Sequence, residues 1–396
     1  MKQRYHYDSR QIKPGDIYIC LPKGEAYIEE AKANGAKETL GMSRKEMGCF
    51  AHDFFGQPSE QLCVIGVTGT NGKTTICHAL GQALTLLGYK PFVLGTLNSN
   101  LTTPESLDTH RMMAGHLKNG GTHFIMEVSS HGISQERIAG IDFSIKILSN
   151  ITQDHLDYHK SFEAYKQTKL SFLNSAGGKA IHPRDYQQIA VPQGHQFKGN
   201  FNTSNLQAVI SVLRELHVPE NKINGMIGEL QPPPGRFESV NEGQNFEVIV
   251  DYAHTPDGLE NVLNTAKVLA LETEGKLYCV FGCGGDRDKE KRPKMGAIAQ
   301  HLSDYVVLTQ DNPRSESEDD IIRDILEGMD PGKDIFIEND RKKAIEHVCS
   351  KAGKGDVFVI AGKGHETQQI LKTGVIEFSD KDVVRKALKV LCENIH

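Results

Sequence analysis

Short, nearly unbroken apolar runs alternate along this chain with longer stretches whose apolar residues recur every three or four positions. That pattern predicts buried strands joined by amphipathic helices. After the turn signal Lys13-Pro14-Gly15 comes one strand-like run, IYICLP, and then a polar, helical stretch up to about residue 60. From Leu62 the order becomes strand, glycine loop, helix: QLCVIGV, TGTNGK, TTICHALGQALTLLG. Buried-strand runs follow at HFIMEV and SIKILSN, and helical periodicity appears over 161–174, 204–216 and 219–229. Pro232, Pro233, Pro234 and Gly235 then break the pattern and mark a domain boundary. Beyond it, strands at FEVIV (246–250), KLYCVFG (276–282), DYVVLT (304–309), DIFIE (334–338) and DVFVIAG (356–362) alternate with helical segments. The expectation is a multidomain α/β chain. A small, reduced N-terminal α/β domain occupies 1–60, a central P-loop ATPase-like domain with a parallel sheet 61–235, and a C-terminal Rossmann-like domain 236–396.

Composition narrows the class. The 396 residues carry 38% apolar side chains, enough for real cores, and a net charge of -6 without a basic block. Nucleic acid and an anionic membrane are therefore not expected partners. MKQRYHYDSR lacks a signal-peptide core, and no window approaches the roughly 18 apolar residues of a membrane span, so a cytoplasmic location is expected. The eight cysteines are scattered, with no CxxC, and read as reduced, mostly buried thiols.

Two features carry chemistry. GVTGTNGKTT (66–75) lies between a buried strand and a helix, where backbone N–H groups surround phosphates, Lys73 adds a point charge and the Thr74 hydroxyl can ligate Mg²⁺. The strict pattern asks for glycine at Val67; glycines stand instead at 66 and 69. Neither the strand-end aspartate of a switch ATPase nor the NKxD of a GTPase follows, and HFIMEV delivers Glu127 instead. The second feature is Lys169. On a helix from Ser161, residues Phe162, Tyr165, Lys169, Phe172 and Leu173 form one stripe with a lysine at its middle. A buried ammonium requires a partner or a changed chemical state; an isolated case would more often snorkel to solvent.

GTNGKTT, MEVSSH, DHLDYH, GRFE and DYAHTP, in that order, resemble the Mur ligases, the ATP-dependent enzymes that add amino acids to the peptidoglycan precursor. Within them TTPE, FGCGGDRDKEKRP, DNPR and GKGHE look like the MurE branch, which adds the third residue. Folylpolyglutamate synthases share the phosphate loop and layout but not DNPR or GKGHE. The resemblance implies an acid–amino-acid ligase using ATP and Mg²⁺. Gly69, Thr70, Asn71, Gly72, Lys73, Thr74 and Thr75, with Asn202, Asn205, Arg236 and Asp251, would bind ATP, Asp251 at the ribose. Thr74, Glu127 and His155 would hold Mg²⁺, and Lys169, fourteen residues beyond His155, falls on the family's carbamylated lysine. Lys73, Glu127, His155 and Lys169 form the catalytic set. Thr102, Thr103, Ser129, Gln135 and Arg137 match contacts to the muramyl dipeptide, Ser9 stands in the signature DSRQIKPGDIYICLP of the domain that holds the uridine diphosphate end of that substrate, and Arg287, Asp311, Asn312, Arg314, Gly362 and Glu366 match contacts to the incoming amino acid. Arg314 as a fork for a carboxylate and Glu366 for an ammonium point to meso-diaminopimelate. The partners are small molecules, and the family's monomer is the expected form.

Individually these residues read more plainly. His131 and His159 carry no assignment, DNPRSESEDD also reads as a turn before an acidic helix start, and DRDKEKRP as a solvated loop. Two regions depart from the resemblance: the N-terminal segment and residues 177–199 are shorter than in the family. Three readings stay open: a compact MurE-type ligase, a related ligase with another acyl acceptor or amino acid, and a catalytically silent binding protein of the same fold. An intact Lys73, Glu127, His155 and Lys169 argues against the last.

Overall fold

The computed structural model describes residues 3–332 and 335–393. The chain folds as two compact units: Met1–Gly69, Leu80–Ser149 and Gln167–Asp185 form the first, and Thr70–Ala79, Asn150–Lys166 and Tyr186–His396 the second.

The first unit holds two parallel sheets. The small one pairs β1 (Tyr5–His6), β2 (Ile17–Cys20) and β3 (Glu38–Gly41) in that order. Ile19 and Leu21 pack there with Met47 and Ala51 of helix Arg44–Phe54, whose start is fixed by a reciprocal Ser43–Glu46 capping box. The larger sheet contains β4 (Cys63–Thr68), β5 (Pro91–Leu94), β6 (His123–Glu127), β7 (Ile145–Leu148) and β8 (Lys179–Ile181), in the order β5-β6-β4-β7-β8, all parallel. Central strand β4 is buried on both faces, so its run is apolar without alternation. Gly66 is required in it, since a Cβ there would lie 2.6 Å from Phe143 and 2.7 Å from Phe172.

The second unit is built on a six-stranded sheet, ordered β13-β12-β11-β14-β10-β9. Its strands are β9 (Glu238–Ser239), β10 (Glu247–Asp251), β11 (Leu277–Phe281), β12 (Tyr305–Leu308), β13 (Ile335–Ile337) and β14 (Val357–Ala361); only β9 runs antiparallel. Ile249, Cys279, Val359 and Leu308 enter one core, and Val248, Val280, Phe358 and Val307 the other. A hairpin, β15 (Gln368–Leu371) with β16 (Gly374–Glu377), follows. In both larger sheets the loops after the strand ends carry most of the candidate residues, as open parallel sheets favour.

The strands read from the sequence are present within a residue or two; of DIFIE, Asp334 lies outside the described residues. The helix expected over 204–216 begins earlier, at Asn200. Seven described strands escaped the pattern: β1, β3, β5, β8 and β9 lie at the sheet edges, and β15 and β16 are largely exposed, so their hydrophobic signal is weak. On helix Phe162–Asn174 the stripe is buried at Tyr165, Lys169, Phe172 and Leu173, but Phe162 is 40% exposed, because a first-turn side chain overhangs the helix end. Seven described cysteines are free, five of them buried and Cys49 exposed.

His110, in helix Ser106–Lys118, is fully buried, and burial with the neighbouring charge of His52 pushes its imidazole down to about 4. As pH falls below the ordinary 6.5, the unfolded chain takes up this proton before the folded one does. Stability should therefore drop between pH 6.5 and 4, by about 1.4 kcal/mol per pH unit for this one group. A His110→Leu variant should lose that share of the slope in urea titrations across the window; an unchanged slope would refute the assignment.

Candidate active site

The loop between β4 and helix Lys73–Leu86 turns through two glycines at positive φ, Gly69 at 147° and Gly72 at 86°. A side chain at 72 would place its Cβ 2.3 Å from Asn205 Oδ1, so the loop backbone and the Asn205 amide are in close approach. Asn205 donates to Asn202 Oδ1 at 3.0 Å, and Asn202 in turn donates to the Lys198 carbonyl at 2.9 Å, which fixes both amides on helix Asn200–Glu215. Thr70 N–H donates to the Asn150 carbonyl at 3.0 Å and Asn71 N–H to its side-chain oxygen at 2.9 Å. Thr70 also bonds the Tyr165 hydroxyl at 2.8 Å, and Lys73 Nζ donates to the Thr70 carbonyl at 2.8 Å. Thr74 and Thr75 are buried at the helix start, and Thr74 Oγ1 accepts from Arg236 at 3.1 Å. The guanidinium of Arg236 lies 4.4 Å over the Tyr252 ring, a stacked cation held at the loop.

In the first unit, Lys169 is 1% exposed and donates to the Gly69 carbonyl at 2.8 Å. The lysine in the stripe therefore does not snorkel; it reaches the phosphate loop. Glu127, the last residue of β6, is equally buried and accepts from Thr96 N–H at 2.9 Å and Thr96 Oγ1 at 3.2 Å. Thr103 Oγ1 donates to the Glu127 carbonyl at 2.9 Å and meets Ser129 Oγ at 3.0 Å, and Thr102 reaches Thr96 at 3.1 Å. Arg137 bonds Gln135 and, at 3.2 Å, the Thr103 carbonyl. These five form one cluster. Ser9 lies apart from them in the small sheet's surroundings, buried and donating to Glu30 at 2.5 Å.

In the second unit, His155 sits at φ 54° and its ring faces Asp154 at 3.3 Å. Burial alone would raise Asp154, but the electrostatic influence of His155, and after it of Lys291, holds its carboxyl down at about 2. Burial and then Lys291 push His254 down to about 4. Asp251 ends β10 with both oxygens occupied, accepting from Phe237 N–H at 2.6 Å and Ala253 N–H at 2.7 Å. A ribose hydroxyl would thus use the remaining lone pairs. Of the four expected metal ligands, Glu127 and Lys169 belong to the first unit and Thr74 and His155 to the second.

The loops after β11, β12 and β14 bring the remaining residues together. Arg314, at φ 53°, donates to the Gly285 carbonyl at 2.8 Å, and burial followed by repulsion from Arg287 holds its guanidinium below the usual value. Gly284 lies against both side chains: a Cβ there would lie 3.0 Å from Arg314 Nη1 and 3.7 Å from the Arg287 stem at Cγ, while the Arg287 guanidinium donates to the Asp286 carbonyl at 2.9 Å. Asn312 donates to Glu366 Oε2 at 3.0 Å, and Lys363 Nζ donates to the same oxygen at 2.8 Å and to Asn312 Oδ1 at 3.0 Å. Gly362, at φ 117°, leaves room for Asp311, whose carboxylate a Cβ would meet at 2.5 Å. Glu366 is therefore already partnered, which the sequence did not reveal.

Sequence reasoning also passed over Asp154, Lys291 and Lys363, although each stands inside a motif it quoted. The signal it lacked was burial of a charge, which only packing supplies. Gly72→Ala tests the loop: its positive φ and the Asn205 contact predict at least about tenfold weaker ADP binding by calorimetry, and undiminished binding would refute the tight approach.

Comparison with known proteins agrees with this arrangement. The Mur ligase middle domain model matches residues 67–213, and the model described as Mur ligase, glutamate ligase domain matches 235–364. The UDP-N-acetylmuramoyl-L-alanyl-D-glutamate--2,6-diaminopimelate ligase of Syntrophomonas wolfei subsp. wolfei is 36% identical over 461 aligned residues, covering 97% of this chain and 94% of the relative. The enzyme of that name from Clostridioides difficile is 38% identical over 458 residues, covering 96% and 94%. Both alignments are longer than the 396-residue chain, so these relatives carry insertions that it lacks. A solved structure of a ligase of the same name is 30% identical with a TM-score of 0.61, covering 98% of this chain and 95% of the other. MurF ligase from Thermotoga maritima, in complex with ADP, shares the fold with a TM-score of 0.67 at 16% identity, covering 100% and 99%. From the phosphate loop at 66–75 to the clustered loops of the second sheet, and along nearly its whole length, this chain belongs to the Mur ligase family.

Proposed function

We propose that the protein is an ADP-forming acid–amino-acid ligase that adds meso-diaminopimelate to the D-glutamyl carboxylate of UDP-N-acetylmuramoyl-L-alanyl-D-glutamate, in peptidoglycan precursor synthesis. The observation that carries the choice of amino acid is the cluster on the second sheet. The side chains of Arg314 and Arg287 flank Gly284, burial with repulsion from Arg287 holds Arg314 below its usual value, and Asn312 and Glu366 stand on the neighbouring loops. A carboxylate between Arg287 and Arg314 relieves that repulsion, and an ammonium at Glu366 completes the recognition of a side chain bearing both charges.

The reaction has two steps. A carboxylate oxygen of the acceptor attacks the γ-phosphorus of ATP, forming an acyl phosphate as ADP leaves. The amine of diaminopimelate, having given up a proton, then attacks the acyl carbon; the amide bond forms and inorganic phosphate departs. Both partners of the first step are anions, so the loop N–H groups, Lys73 and Arg236 act by neutralising phosphate charge. Mg²⁺, when bound, supplies further neutralisation of the phosphoryl oxygens. Thr74, Glu127, His155 and a carbamylated Lys169 would hold it, a set of oxygen donors with one imidazole, in which Glu127 is buried and accepts from Thr96. The carbamate forms when the Lys169 ammonium gives up one proton and the free amine, adding to CO₂, gives up a second, turning a buried cation into an anionic oxygen ligand.

Asn202, Asn205 and Asp251 complete the nucleotide site in this reading. Thr102, Thr103, Ser129, Gln135 and Arg137 bind the dipeptide end of the acceptor, Ser9 its nucleotide end, and Asp311 and Gly362 join the amino-acid site. The reading divides the chain at about residues 60 and 235 and takes a cytoplasmic monomer, with access to ATP, as the working form. No described helix is long and apolar enough to cross a membrane. The insertions missing from this chain support one variant of the reading, an acceptor lacking part of the nucleotide.

Phosphate release and product mass, read with purified protein, ATP, Mg²⁺, the UDP-muramyl dipeptide and a panel of amino acids, test the proposal; faster addition of L-lysine than of diaminopimelate would overturn it. Arg314→Ala should raise the KM for diaminopimelate by about 30-fold and leave the KM for ATP nearly unchanged. Lys169→Ala should lower kcat by at least about 100-fold, with partial recovery on adding bicarbonate and a small carboxylate. Undiminished turnover in that variant would exclude the carbamate.

A further inference from the structure

We propose that Lys363 is a specificity-determining positioning residue, whose buried ammonium orients Glu366 and Asn312 so that one Glu366 oxygen is presented to the distal ammonium of the incoming diamino acid. The inference rests on the diamino-acid reading above and adds to it a residue that reading does not use.

Lys363 has no exposed side-chain surface, yet it lies one residue beyond the turn glycine Gly362 on a loop that carries a substrate candidate. Its ammonium closes a triangle: it donates to Glu366 Oε2 at 2.8 Å and to Asn312 Oδ1 at 3.0 Å, while Asn312 Nδ2 donates to that same Glu366 oxygen at 3.0 Å. The Ile370 N–H, also donating to Asn312 Oδ1 at 2.9 Å, leaves the amide only one orientation, nitrogen toward Glu366. Both side-chain donors that reach Glu366 fall on Oε2. Oε1 is thereby left to the ligand, on a side chain that is 29% exposed.

The roots of the two loops are fixed as well. Arg341, wholly buried and paired with Asp380 at 2.7 Å, donates to the Ala361 carbonyl at 2.8 Å and to the Gln310 carbonyl at 3.3 Å. One guanidinium thus ties the ends of β12 and β14 where the Asn312 and Lys363 loops depart. With the loops fixed, the direction of the Glu366 carboxylate is decided by Lys363. The pair also sets the charge: one cation and one anion sum to zero, so Glu366 attracts a substrate ammonium by direction and hydrogen bonding more than by surplus charge.

A lysine that served only to neutralise a buried carboxylate would, when lost, weaken the whole unit. A positioning lysine predicts a selective loss. The full-length protein and its Lys363→Met, Glu366→Gln and double variants would be compared with ATP, Mg²⁺, the UDP-muramyl dipeptide and either meso-diaminopimelate or 2-aminopimelate, which lacks the distal ammonium. The expected result for Lys363→Met is a rise of at least about tenfold in the KM for diaminopimelate, an ATP KM within about twofold, and a matching fall in the kcat/KM ratio between the two amino acids. Glu366→Gln should do the same, and the double variant no more than either single one. If Lys363→Met is unfolded by circular dichroism, Lys363→Gln carries the same comparison. An unchanged ratio in a folded variant, or a fall in kcat and ATP affinity in step with melting temperature, overturns the inference and leaves the ligase reading standing. A wild-type protein that uses no diamino acid overturns both.

Discussion

Charge removed from water is the constraint around which the functional parts of this chain are arranged. Lys169, Lys363, Arg341, Glu127, Asp154 and Asp251 are all buried or nearly so, and burying any of them without a partner would cost several kcal/mol. Several of the partners lie on a loop that follows a parallel strand, or at a strand's last residue. Lys169 meets the Gly69 carbonyl just beyond β4, Asp251 accepts two backbone N–H groups at the end of β10, and Lys363 pairs with Glu366 beyond β14. The buried charges therefore define the loop conformations, and the loops present the candidate chemistry.

This arrangement separates two kinds of charge. Arg341 and Asp380 are closed off, each wholly inside, with the guanidinium spending its donors on Asp380 and on strand-end carbonyls. Removing either partner would leave the other buried and unpaired, so the pair is structural. The second kind keeps unused capacity. Asp251 has both oxygens bonded, but each retains a lone pair; Glu366 is bonded at one oxygen only; Arg314 and Arg287 repel each other. Capacity of that sort is what a charged substrate completes, and it gathers at the carboxyl edge of the second sheet.

Much of the fold could be read from the apolar pattern, because central strands buried on both faces are continuous runs: CVIGVT, HFIME, LYCVF and VFVIA leave little ambiguity. Edge strands such as Pro91–Leu94 and the exposed Gly374–Glu377 bury one face or none, and their sequences carry no comparable signal. The phosphate loop was legible because glycine, lysine and threonine sit at a fixed spacing next to a strand. Lys169 was legible as an anomaly, a cation in a stripe. Lys363 and Asp154 were not, since a polar residue within a polar motif gives no hint that packing will enclose it. The same applies to Glu366, whose partners come from fifty-four and three residues away in sequence.

The chain is shorter than the relatives it aligns with, and this bears on how binding energy is used. A ligase of this kind draws on parts of the acceptor far from the reacting carboxylate to hold that carboxylate against the phosphate, and an enzyme with fewer remote contacts loses turnover as well as affinity. The three-stranded sheet keeps Ser9, but its hydroxyl is buried and already donates to Glu30, while its acceptor lone pairs are what a nucleotide donor group would meet. The cluster of Thr102, Thr103, Ser129, Gln135 and Arg137, by contrast, is knit through mutual hydrogen bonds and through the Glu127 carbonyl. On the proposed reading, orientation of the acceptor next to Glu127 would rest on these mutually bonded side chains beside the large sheet. On that reading, the dipeptide end rather than the nucleotide end of the acceptor would meet the side chains that are most firmly bonded to one another.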